Sequence, residues 1–279
     1  MNHPARAASL FLLALGLLSS ACGGGNGGDA GVDAGTLDAT TFDAGPPDLG
    51  PPDLGLTPVC TTPTTVPCTD NQILDLPLFT TAATGAIDNT ADGSGWMSHV
   101  DATAGGFMPT QSFVYARFTD AGLEKVDVGD EAAFSSMDWD IAFRRFIIRL
   151  NSGVSGPSCV TGARTAATTM YDTLSSPPSG LAYRTEAYYT AAPSCMLVPD
   201  GSGLGSPGTA LQSFWEYPGC VKMTGNTYVL ELASGRHVKL TVTSYYEPSF
   251  QATCDSTGSV AMSGNGSGNI RFRWAFIDP

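Results

Sequence analysis

The run Trp139-Asp140-Ile141-Ala142-Phe143-Arg144-Arg145-Phe146-Ile147-Ile148-Arg149-Leu150-Asn151 can be folded in very few ways. Trp139, Ile141 and Phe143 alternate with Asp140, Ala142 and Arg144, the two-residue period of a strand with one buried face. After Arg145 the phase inverts, and Phe146, Ile148 and Leu150 carry the apolar side. One extra residue at Arg144-Arg145 restores register, so the pattern predicts a long strand with a β-bulge there. Asn151-Ser152-Gly153 and Ser155-Gly156-Pro157 then end the strand with turn chemistry. Two roles are open to Arg144, Arg145 and Arg149. They sit on the wet face of a core strand, or they form a cationic face for an anionic ligand.

Other segments share the period. Gln111 to Phe118 reads as a strand, Thr119-Asp120-Ala121-Gly122 as its turn and Leu123 to Val128 as the return. Tyr228 to Leu232 and Val238 to Thr243 flank Ala233-Ser234-Gly235-Arg236, a hairpin with a glycine in its loop. Ile270, Phe272, Trp274 and Phe276 alternate with Arg271, Arg273 and Ala275 in a final strand. Asp70 to Phe79 reads as one short helix or strand. Asp88 to Trp96 and the Ser/Gly-rich 253–268 read as connections, and 157–225 is irregular. The expected fold class is all-β, mainly antiparallel strands in one hand-like or sandwich-like head domain with long loops.

The N-terminus is organised differently. Arg6 and the apolar stretch Ala7 to Leu18 have the form of a signal peptide over 1–21, too short to span a bilayer. Ser19-Ser20-Ala21-Cys22 resembles a bacterial lipobox, which makes Cys22 the expected lipidation site. Residues 22–58 then form an expected disordered tether, rich in Gly and Pro, with six aspartates and no basic residue. As a coil it reaches roughly 30–35 Å. The expected product is a head, 59–279, held by a lipid anchor at the outer membrane or cell surface.

Six further cysteines, Cys60, Cys68, Cys159, Cys195, Cys220 and Cys254, come after this export signal. An even count in an exported chain reads as disulfides, although connectivity does not follow from sequence. Loop-closure entropy favours Cys60–Cys68 as a local pair and Cys195–Cys220 around a glycine-rich stretch, which leaves Cys159–Cys254. Zinc is the competitor, but no CxxC pair is present and the head has only His99 and His237.

Several function classes are excluded by charge and motif. The formal charge is -13, and residues 59–279 alone carry a net -8, so no basic stripe exists to neutralise the phosphates of nucleic acid. No GxSxG nucleophile elbow and no phosphate-cradling glycine loop ahead of a helix occurs, so the chain is not read as an enzyme.

A Trp-Asp-Ile-Ala-Phe strand, then arginine, then Leu150-Asn151-Ser152-Gly153-Val154-Ser155-Gly156 resembles the HmuY-like family of haem-binding bacterial surface lipoproteins. The preceding strand-turn-strand and the C-terminal hairpin with Tyr245-Tyr246 and a last aromatic strand extend the resemblance over about residues 97–278. The resemblance implies haem as cofactor, an outer-membrane uptake partner, and two axial ligands between the Trp-Asp strand and the C-terminal hairpin. The family's histidine ligands are not found here, since 158–224 contains no histidine. Met196 and Met223 fall near the two ligand positions, and thioether sulfur can ligate haem iron. They serve as ligands, or they fill gaps under loops. A Cys195–Cys220 bridge would hold the two sulfurs close together. The alternative function is a cofactor-free surface lipoprotein of the same fold that makes protein or glycan contacts.

Overall fold

The computed structural model describes residues 56–106 and 108–278. The expected signal peptide, Cys22 and nearly all of the tether lie outside the described residues. Among the described residues no helix is long and apolar enough to cross a membrane.

The strands are β1 (Ile87–Asp92), β2 (Gly95–Asp101), β3 (Val114–Thr119), β4 (Gly122–Val126), β5 (Ile141–Arg144), β6 (Ile147–Leu150), β7 (Thr161–Arg164), β8 (Trp215–Glu216), β9 (Lys222–Met223), β10 (Thr227–Glu231), β11 (His237–Ser244) and β12 (Asn269–Ile277). The helices are α1 (Thr69–Asp75), α2 (Asp130–Ala133) and α3 (Pro248–Thr257). A six-stranded sheet runs β1-β2-β12-β11-β10-β7, a four-stranded sheet runs β4-β3-β5-β6, and β8-β9 is a separate ribbon. Every pairing is antiparallel, as the alternating patterns require. The two larger sheets face each other. Phe143 stacks on Phe272 at 5.3 Å between ring centres, and Phe118 meets Trp274 edge-on at 4.8 Å. Asn89 of β1 imitates a strand partner, exchanging 3.0 Å bonds with both backbone groups of Leu123 in β4 and so stitching the sheets at one edge.

The phase inversion after Arg145 is a hairpin and not a bulge. β5 and β6 pair Ile141 with Leu150, Phe143 with Ile148 and Arg144 with Ile147, leaving Arg145-Phe146 as a two-residue turn. Such a turn inverts parity between the strands, so Ile141, Phe143, Ile148 and Leu150 share one face. Arg145 takes φ 55°, the left-handed conformation that the turn demands.

The arginine assignment changes with it. Arg144 and Arg149 are 2% and 1% exposed, so only Arg145 remains on the surface. The opposite face of β5-β6 is covered by α2, by the α1 segment and by a second apolar cluster of Phe113, Tyr115, Ala133, Trp139 and Ala142. Asp130 lies fully buried there, its oxygens 3.7 Å from Arg144 and 3.8 Å from Arg149. The carboxylate also accepts bonds from Phe79 N, Phe113 N and the Tyr115 hydroxyl at 2.9–3.0 Å. Both guanidinium groups lie about 4 Å from the Phe113 ring centre. Arg144 donates to the carbonyls of Leu76 and Pro77, and burial pushes it down to about 10.

The Leu150 to Gly156 motif ends the hairpin by packing. Asn151 donates to the carbonyls of Ser136 and Trp139 and accepts from Ser158 N. Gly153 sits at φ 57° with Glu186 O 2.1 Å from where a Cβ would stand, and a Cβ on Gly156 would lie 2.7 Å from Trp139. Only glycine fits either place.

Two further departures from the sequence expectations occur. Residues 88–96 belong to the β1-β2 hairpin, and α3 occupies the front of the supposed loop 253–268. Pro248 opens α3 and Gly258 (φ 72°) closes it. Gln251 anchors it, accepting from Tyr245 N and Tyr246 N and donating to Val221 O.

The cysteines pair as Cys60–Cys159, Cys68–Cys195 and Cys220–Cys254, which corrects all three expected bridges. Local closure fails because the segment 56–78 is drawn out across the head. Val59 N bonds Ala233 O, Thr64 N bonds Pro157 O, and Gln72 reaches Val154 O. Cys60 and Cys68 are thereby delivered to different neighbours. The loops closed span 99 and 127 positions, and constraining such lengths stabilises by roughly 4–5 kcal/mol each in the chain-entropy model.

Asp130→Asn strips two buried guanidinium groups of their counter-charge and should cost about 3–5 kcal/mol in urea unfolding. Asp120→Asn, at the exposed pair with Arg236, should cost less than about 1 kcal/mol. Burial raises the carboxyl of Glu186 from 4.5 to about 7 and that of Asp140 from 3.8 to about 6. A carboxyl raised on folding binds its proton more tightly in the folded state, so its stabilising contribution is full at low pH and is lost as pH climbs through the folded value. The urea midpoint should therefore fall between about pH 4 and pH 7, and Glu186→Gln should flatten, without abolishing, that slope. Non-reducing peptide mapping should link Cys68 to Cys195. A Cys195–Cys220 peptide would contradict the strap.

Candidate functional site

The stretch 158–224, where the axial ligands were expected, forms the walls of a cleft beside the β7 edge. Gly162 and Arg184 exchange backbone bonds of 3.0 and 2.9 Å, so the Arg184 segment adds one rung beyond β7. Glu186 then fixes the next wall. Its two oxygens accept from Leu150 N at 2.8 Å and Ala210 N at 2.9 Å, locking the 206–214 loop to β6. Asn226 and Thr224 hold the Ser213 carbonyl at 2.7 and 2.8 Å.

The cleft has two lobes sharing Arg164, Gln212 and Ser213. The deeper, of about 180 Å³, is bounded by Gly162, Ala182, Arg184, Ala210 and Tyr228. The outer, of about 440 Å³, is bounded by Asp200 to Ser202 and by Trp215 to Tyr217, Thr224 and Asn226. Trp215 and Tyr217 meet edge-on at 6.4 Å, and Tyr217 is 48% exposed. Burial raises the Tyr228 hydroxyl, an effect that Asn226 and the charge of Arg164 oppose. Gln212 Oε1 is buried with no donor among the described residues. Such walls suit a flat ligand with polar edges.

The two candidate sulfurs are placed apart in the framework. Met223 lies opposite Trp215 on the β8-β9 ribbon, half-buried against the main core, with its N–H on Asp255. Met196 is 63% exposed in a loop whose neighbour Cys195 packs with Leu76, Val154, Tyr188 and Tyr189. With Cys195 joined to Cys68 and Cys220 to Cys254, no bridge draws Met196 towards Met223. Arg164 and Arg184, which carried no motif in the sequence, are the cations at this cleft. Their signal was available only as basic residues in an acidic head.

Among the described residues, no cluster of histidine, cysteine and carboxylate suited to a metal ion occurs. His99 lies on β2, its ring 2.8 Å from Asn269 and 3.6 Å from Asp88.

Comparison with curated proteins returns no match. Three solved structures are similar at low identity. A candidate lipoprotein from Bacteroides fragilis NCTC 9343 is 15% identical with TM-score 0.40, over 66% of this chain and 91% of that one. A candidate HmuY-like heme-binding protein from Bacteroides vulgatus ATCC 8482 is 16% identical with TM-score 0.41, over 67% and 95%. An apo HmuY analogue from Tannerella forsythia is 15% identical with TM-score 0.35, over 71% and 99%. The family model described as HmuY protein matches residues 109–257, more than half of the chain. That span runs from just before β3 through the buried arginines, the cleft and the C-terminal hairpin to the end of α3, and the chain belongs to the HmuY family.

Proposed function

We propose that this chain is a lipoprotein of the HmuY family whose head binds haem, or a related tetrapyrrole, as cargo for uptake. The family match over 109–257 carries the reading, because it takes in both the organising hairpin and the cleft. The cleft residues fit such a cargo in two respects. Tyr217, backed by the buried Trp215, offers aromatic surface to a flat macrocycle, and the lobes together accommodate part of one while leaving an edge in water. Met196 and Met223 are the sulfurs offered to the iron, and since neither lines either lobe, both must move towards the cleft to reach it. The exposed Met196 sulfur is free to coordinate, whereas Met223 would have to turn away from the core. Cys22 supplies the anchor at the outer membrane, and an uptake partner there receives the cargo. The role is carriage and not catalysis.

A second reading draws on the same methionines. Their separation on different disulfide frames favours a cofactor-free head that uses this surface for protein or glycan contacts.

Titration of the purified head with haem separates the two. A Soret shift saturating at one haem per chain is expected, and Met196→Ala or Met223→Ala should each change the ligand-field bands while the fold persists. An unchanged spectrum across the titration would leave the cofactor-free reading standing.

A further inference from the structure

Arg164 and Arg184 are two cations without counter-ions in an acidic molecule. Residues 59–279 carry a net -8, yet neither side chain has a carboxylate within ion-pair distance among the described residues. Most other arginines here do have one, including the exposed Arg117 and the half-buried Arg236, Arg271 and Arg273.

The backbone explains why these two meet. The Gly162–Arg184 bridge is antiparallel, so Arg164 stands two positions along β7 from the residue opposite Arg184. Both point to one face, at the diagonal spacing of about 7–8 Å between neighbouring strands. Both side chains are exposed at the rim of the β7 edge. Arg164 is in register with buried Tyr228, and both arginines line the deeper lobe. Side chains as long as arginine on such neighbouring positions reach a common anion, whose charge offsets their mutual repulsion. The planar guanidinium fork matches a carboxylate by paired hydrogen bonds. The lobe is too small for a polyanion, and the head's charge repels one.

We infer that Arg164 and Arg184 form a carboxylate-binding wall that takes the acidic side-arms of the cargo, with the ring lying outward against the exposed Tyr217. The inference rests on the tetrapyrrole reading of the cleft. It assigns specificity to charge at the macrocycle edge, independent of which atoms reach the iron.

The test compares haem with its dimethyl ester, which keeps ring and iron but has no carboxylate. Both are titrated into the wild-type head, into Arg164→Gln/Arg184→Gln and into Arg164→Lys/Arg184→Lys, with thermal unfolding as the check on folding. Wild type should prefer haem to the ester by about ten-fold or more. The glutamine variant should lose that preference by weakening haem binding alone, and the lysine variant should keep most of it. Equal affinity of wild type for haem and ester overturns the inference, even if the glutamine variant fails to fold. So does a folded glutamine variant that keeps the preference. Failure of wild type to bind either pigment would overturn the tetrapyrrole reading, and this inference with it.

Discussion

The structure depends on one buried carboxylate. Asp130 accepts three hydrogen bonds and faces two arginines that would otherwise be isolated charges in an apolar layer. It ties the N-terminal segment, which has no strand pairing with the four-stranded sheet, to three of that sheet's strands. Phe79 belongs to the N-terminal segment, Phe113 and Tyr115 to the four-stranded sheet and its approach, and Arg144 and Arg149 to the two arms of the β5-β6 hairpin. Buried charge of this kind adds little net stability compared with a well-packed apolar core. What it supplies is register. Ala142 opposes both Tyr115 and Arg149, so a one-residue slip would turn that row towards the facing sheet and leave Asp130 unpaired.

The fold class was legible because period-two patterns survive in β3, β5, β10, β11 and β12. The N-terminal hairpin was not, since β1 is polar on most positions and is held through Asn89 and by β2, not by an apolar face of its own. The helix α3 escaped for a related reason. Its residues Pro-Ser-Phe-Gln-Ala-Thr-Cys-Asp-Ser-Thr have almost no amphipathic pattern, and its position is fixed by Gln251 and Cys254. The opening proline and closing glycine were the local signals available.

The phase inversion at Arg145 carried the fold information, yet both a bulge and a two-residue turn restore the apolar face. Only the positive φ at Arg145 and the covering of the second face separate them. Burial of Arg144 and Arg149 likewise could not be read from alternation, because the pattern reports which residues share a face and not whether that face is covered. Pairing by entropy alone chose the nearest cysteines, whereas the hydrogen bonds of residues 59–72 route the chain past them. For the same reason Met196 and Met223 looked like neighbours in sequence logic, while Arg164 and Arg184, brought together by a single β-bridge, had no motif to announce them.

The strap formed by residues 56–78 also has a mechanical meaning. A pull applied from the N-terminal side of the head enters at Leu56 and meets Cys60 four positions later. There the load passes through a covalent bond into Cys159, just ahead of β7, and any remainder reaches Cys195 through Cys68. The strap's hydrogen bonds beyond Cys60, those of Thr64 and Gln72, are thus shielded from tension, and the sheets cannot be peeled strand by strand from that end while both bridges stay oxidised. Reduction would make that end peelable, so the redox state of the surroundings sets how far the head resists a pull from its N-terminal side.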